Sequence, residues 1–148
     1  MSYRLHHPIA LISVFVWVGF VCAISFMEAW LKFRAHGVTL PIGLCIGRLV
    51  FQALNRVEWV LAVAVLADLL WRRVAWPPRG FIVLPVLILI VQSLWLLPAL
   101  DERALQAIHG HLPGPSHLHL LYVAGEVVKV VALVILGTRL VRVTTVQG

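Results

Sequence analysis

Arg48, Phe51, Asn55 and Glu58 are spaced i, i+3, i+7 and i+10, and His119, Tyr122, Glu126 and Lys129 repeat that spacing 71 residues later. At about 100° per residue in a helix, each set falls on one narrow stripe. Both sets lie in runs that are otherwise largely apolar, and on a third run Ser25, Glu28 and Lys32 share a face. An ionised side chain at mid-bilayer costs about 2.5–3.5 kcal/mol on insertion scales, so such residues must turn inward and find partners. Two kinds of chemistry suit this pattern. Paired charges staple helices in register and leave no polar group unsatisfied in lipid. The same stripes can instead line a polar pocket opening outward, for a substrate, a lipid headgroup, a proton or an ion. With the second and fourth helices side by side, Glu58 is expected near Lys129 and Asn55 near Glu126. Arg48 and Glu28, of opposite charge, are expected nearer the outer surface. The repeat of spacing suits a duplicated helical hairpin, although the flanking residues do not match.

Histidine is the other chemical signal. The stretch HGHLPGPSHLH holds His109, His111, His117 and His119 as two His-x-His pairs around a Pro-Gly-Pro turn. Imidazole suits Zn, Cu and Ni, so these four residues are a candidate metal site, although no Cys or carboxylate stands beside them. His6 and His7 are expected to face headgroups on the opposite side. Asp68, four residues before Arg72, reads as a local ion pair. The lone cysteines Cys22 and Cys45 read as small hydrophobes. No nucleophile elbow, phosphate loop, HExxH or CxxCH motif is present, so catalytic residues and cofactor stay unassigned.

The elements that must position these residues follow from composition. Of 148 residues, 61% are hydrophobic and 12% charged, against about 25% charged in soluble domains. Mean hydropathy is +0.99. This excludes an ordinary cytosolic enzyme, a disordered chain and a secreted disulfide scaffold. The expected fold is all-α: one polytopic membrane domain over 1–148, a four-transmembrane-helix bundle with helices at about 8–31, 41–71, 81–100 and 117–143. At ~1.5 Å per residue the second run measures ~46 Å, so it must project from a ~30 Å hydrocarbon core or tilt. In the third loop, 101–116, Asp101 and Glu102 followed by Leu105 and Ile108 predict one short interfacial helix before the Pro-Gly-Pro break.

The net charge is +6, but Arg and Lys sit at the ends of apolar runs rather than in a block. That points to anionic headgroups and not to nucleic acid. Arg4, Arg72, Arg73, Arg79, Arg139 and Arg142 fall on one side, against Lys32, Arg34 and Arg103 on the other with Arg48 at its margin. The positive-inside rule then predicts cytoplasmic termini. Trp30, Trp71, Trp76 and Trp95 fall near run ends, as an aromatic belt would place them. Expected partners are membrane lipid, a small ligand or a membrane protein, with an oligomer possible.

The segment GRLVFQALNRVE resembles the second helix of the membrane-associated glutathione-transferase and eicosanoid-synthase (MAPEG) superfamily, whose Arg-rich stretch is followed by Asn-x-x-Glu. Arg48, Asn55, Arg56 and Glu58 carry that resemblance. It implies a four-helix membrane enzyme that holds glutathione and activates its thiolate. Phe51 stands where that family has another Arg, the fourth helix lacks its Arg and Tyr pattern, and the basic loop lies on the other side. FMEAWLKFRA, GRLVFQALNRVEW and the His-led fourth helix also resemble small four-helix bacterial membrane proteins of a domain-of-unknown-function family. That likeness implies a bacterial inner-membrane protein and no particular activity. Two functional classes remain: a non-enzymatic membrane protein whose polar stripe binds a lipid or small ligand or docks a partner, and a glutathione-transferase-like membrane enzyme. The outward-facing His loop adds a metal-binding alternative.

Overall fold

The computed structural model describes residues 7–71, 76–111 and 114–146, with backbone only for 76–79 and 142–146. The fold is all-α. Helix α1 is Pro8–Arg34 and α2 is Leu40–Trp71. Helix α3 runs over 76–108, and α4 is Leu118–Val146. All four are long and apolar enough to cross a membrane, and their outer faces expose Ile12, Val60, Leu94 and Leu120. Among the described residues no other element covers that apolar surface, and four such helices make an integral membrane protein.

The helices contact one another in a ring, α1 with α2, α2 with α3, α3 with α4, and α4 with α1. That order puts α2 and α4 on a diagonal, not side by side as expected from the stripes. The apolar core fills the half of the bundle that holds Pro8 and Trp71. There Ala10, Val14, Trp17 and Val21 of α1 meet Ala62, Val65 and Leu69 of α2, Ile82 and Leu89 of α3, and Leu133, Leu136 and Leu140 of α4.

Asp68 closes this half. Its Oδ2 accepts the Ala10 backbone N–H at 2.9 Å and lies 3.9 Å from His7 Nδ1. A carboxylate there satisfies one of the unpaired N–H groups of α1 and complements its dipole. Asp68 thus serves the first turn of α1, and the expected pair with Arg72 involves a residue outside the described ones. One expectation is corrected: His7 is buried beside Asp68 instead of facing headgroups. Arg4, His6, Arg72 and Arg73 lie outside the described residues, as do the side chains of Trp76, Arg79 and Arg142.

The other half is longer than a bilayer core requires. Helix α3 does not stop near Leu100 but continues to Ile108, so Asp101–Ile108 extends the third span and forms no separate interfacial helix. Asp101 on this extension pairs with Arg48 on the first turns of α2, so the two long helices are tied to each other at this end. A π-helical turn over Gln92–Leu96 precedes Pro98, and the wider turn gives the proline ring room inside the helix. Helix α1 carries a π-helical stretch of its own over Cys22–Glu28. Gly110, at φ +84°, then ends α3 in the left-handed conformation that favours glycine.

A buried charge layer beneath a cationic cavity

Where the apolar core ends, every helix contributes to one polar layer. Lys129 Nζ on α4 lies 2.5 Å from Glu58 Oε1 of α2 and 2.9 Å from Glu126 Oε1 on its own helix. Trp17 of α1 donates its indole N–H to the same Glu58 oxygen at 2.8 Å. Gln92 of α3 donates from Nε2 to Glu126 Oε1 at 2.7 Å. Glu58, Glu126 and Lys129 have no exposed surface. The structure thus brings Glu58 to Lys129, reached across the bundle diagonal by the long lysine stem. Asn55 does not meet Glu126; it donates to Ser93 Oγ at 2.8 Å, and Gln92 takes the place beside Glu126. Gln92 passes close to Gly125, where a Cβ would stand 3.3 Å from its Nε2. The Oε2 atoms of Glu58 and Glu126, Gln92 Oε1, Ser25 Oγ and the Tyr122 hydroxyl are buried without a hydrogen-bond partner.

Beyond the layer, at the end holding the Arg34–Leu40 and Ile108–Leu118 connections, lies a cavity of about 680 Å³. Its wall comes from all four helices and carries Lys32, Arg48 and Arg56, the single carboxylate Asp101, and Gln52, Asn55, Ser93 and His119. Phe51 and Tyr122 meet edge-on at 5.4 Å, and both line the cavity. Tyr122, almost fully buried, therefore belongs to the cavity wall and to the polar interior alike.

The cations are held differently. Lys32 pairs with Glu28 one turn back at 3.2 Å and lies 5.4 Å from the centre of the Phe51 ring. It crosses Gly47 so closely that a Cβ there would come within 2.7 Å of Nζ. Arg48 makes a two-pronged pair with Asp101, one arm being Nη2 to Oδ2 at 2.9 Å and the other Nε to Oδ1. Gln52 adds a third donor to Asp101 at 3.3 Å. Arg48 therefore pairs with Asp101 and not with Glu28. Asn55 and Trp59 both donate to Ser93 Oγ, the latter at 3.0 Å, and Ser93 donates to the Leu89 carbonyl. Arg56 is exposed on the cavity wall, and among the described residues it has no carboxylate partner.

Of the four candidate metal-ligating histidines, only His119 lines the cavity. His109 Nδ1 sits 2.8 Å from the Leu105 carbonyl of its own helix, and His111 is exposed. Among the described residues no three His, Cys, Asp or Glu side chains gather around one point. Of the residues that resemble the glutathione-transferase motif, Arg48, Asn55 and Arg56 line the cavity, whereas Glu58 is in the buried layer.

Trp17, Asp101, Gln92 and Ser93 are site residues that stripe analysis misses. Gln92 and Ser93 did leave a signal, as the only amide and hydroxyl in the run 81–100. Trp17 left none, because an indole inside an apolar run reads as hydrocarbon. Comparison with known protein families, curated proteins and solved structures returned no match.

Proposed function

We propose that the cavity is a binding site for an anionic amphiphile, a membrane lipid with a phosphate headgroup, and that the protein is a lipid-binding integral membrane protein without catalytic activity of its own. One observation carries this reading: three cationic side chains line the cavity against a single carboxylate, and among the described residues Arg56 has no carboxylate partner. An unpaired arginine in a membrane helix is expensive unless it reaches a headgroup or an anion. Counting about 20 residues of hydrocarbon span back from Trp71 reaches Gln52. Arg48 and Asp101 then stand at headgroup level, and Arg56 lies one turn inside it. A phosphate at this depth meets Arg56 and Lys32, and its acyl chains lie along the apolar outer faces of α2 and α3. The distribution of Arg and Lys supports cytoplasmic termini and a cavity that opens to the outside, and the resemblance to small bacterial membrane proteins supports an inner-membrane location.

Native mass spectrometry after extraction with mixed phosphatidylglycerol and phosphatidylcholine tests the reading. The wild type is expected to retain phosphatidylglycerol selectively, and Arg56→Ala to lose that preference. Equal retention of both lipids contradicts it. So does saturable conjugation of glutathione to an electrophilic dye that is lost in Arg48→Ala, which would establish the enzymatic alternative. Labelling of Gly114→Cys from the outer face tests the orientation.

A further inference from the structure

The buried layer holds one more acid than base. Glu58 and Glu126 address the same ammonium, each through Oε1. Trp17 and Gln92 donate to those same two oxygens. The second oxygen of each carboxylate is buried without a hydrogen-bond partner. The groups that face the layer do not correct the imbalance. Helix α1 brings the neutral Trp17, and its Glu28 and Lys32 neutralise each other. Helix α2 brings Asn55, committed to Ser93. Helix α3 brings the neutral Gln92, and α4 brings Tyr122. Arg48 is committed to Asp101, and Asp68 with His7 lies at the far end of the core. With both glutamates ionised, a net negative charge would be sealed in a region without exposed surface, the situation that burial penalises most. Two carboxylates on one site do not both ionise readily.

We propose that Glu58, Glu126 and Lys129 form an intramembrane proton-binding site. One proton, taken from water, resides on Oε2 of one glutamate while the other glutamate remains the counterion of the Lys129 ammonium. Tyr122 lines the cavity, is buried and touches Gln92 of the layer through its carbonyl at 3.5 Å, so the proposed path of the proton to water runs past this side chain. The site does not depend on what occupies the cavity.

Infrared spectroscopy of the protein carrying carboxyl-¹³C glutamate reads the proton directly. The folded wild type at neutral pH is expected to show the carbonyl band of a protonated glutamic acid, displaced by the label. Glu58→Gln and Glu126→Gln should each abolish it, because the remaining glutamate then has Lys129 to itself. Lys129→Met should strengthen it, because both acids then need protons. Where a variant does not fold, the labelled wild-type spectrum decides alone. A folded wild type without the labelled acid band overturns the proposal, as does a band that survives in both glutamine variants. Slower hydrogen–deuterium exchange of the band in Tyr122→Phe supports the path through the cavity, and an unchanged rate contradicts it.

Discussion

The two halves of the bundle solve the same problem with different materials. Around Val14, Trp17, Leu69 and Leu136 the four helices meet through hydrocarbon. Among the described residues the one acid there is Asp68, which accepts from the first turn of α1. Around Arg48, Arg56 and Asp101 the helices stand apart, held at the rim by an ion pair and enclosing a cavity. The charge layer divides them. Its members face inward from helices whose outer surfaces are apolar, so position on the helix, not overall composition, decides which half is packed and which is open. Closed packing provides stability, and the open half is where the chain can recognise something.

Five substitutions break or sharpen this contrast, the largest expected effect first and the smallest last. The largest belongs to Lys129→Met, which leaves the two buried glutamates Glu58 and Glu126 without a cation. The loss in unfolding free energy is expected to be at least about 3–5 kcal/mol, measured by denaturant titration in detergent. Adding Glu58→Met should restore only part of it, because Glu126 still lacks its partner. A loss below about 1 kcal/mol, the range of exposed pairs, would mean that the layer is hydrated and the halves are not separated. Next comes Leu136→Ala in the packed half, expected to cost about 2–5 kcal/mol. Leu44→Ala on the cavity wall should cost less than about 1 kcal/mol, since no close-packed shell is left empty. Equal losses would erase the contrast.

Asp68→Ala should cost at least about 1 kcal/mol, the usual worth of a helix N-terminal acceptor. Thermal denaturation would show it as a lower midpoint with unchanged lipid retention. Asp101→Asn is expected to have the smallest effect on stability, no more than about 1 kcal/mol, because the Arg48 pair is partly exposed. Its informative effect is on binding. It frees Arg48, so phosphatidylglycerol retention by native mass spectrometry should rise. A fall would show that Asp101 shapes the cavity more than it competes for the cation.

Much of this was legible in the residues. Four apolar runs gave the four-helix membrane fold, because hydrocarbon length and hydropathy leave few other solutions. Helical phase placed Glu58 and Lys129 on inward stripes, and the structure pairs them at 2.5 Å. Phase did not give neighbours. It records direction around an axis and nothing about which helices are adjacent. The diagonal placement of α2 and α4, the exchange of Asn55 for Gln92 beside Glu126, and the pairing of Arg48 with Asp101 were therefore beyond it. The third helix, expected to end near 100, runs through Pro98 to Ile108, because the π-helical turn over Gln92–Leu96 gives the proline ring room. Gly47 and Gly125 look like ordinary small residues in sequence. Their role is visible only once Lys32 and Gln92 pass over them.

Photo-crosslinking tests the central claim, that the open half is a site for an anionic lipid, most directly. A photoreactive phosphatidylglycerol analogue is incorporated with the wild-type protein into phosphatidylcholine bilayers, and the adducts are mapped by peptide mass spectrometry. Adducts are expected on the stretches 43–56 and 93–104 that wall the cavity, displaced by unlabelled phosphatidylglycerol but not by phosphatidylcholine, and diminished in Arg56→Ala. Adducts spread evenly over the lipid-facing residues Ile12, Val60 and Val131, with no displacement by either lipid, would contradict the account.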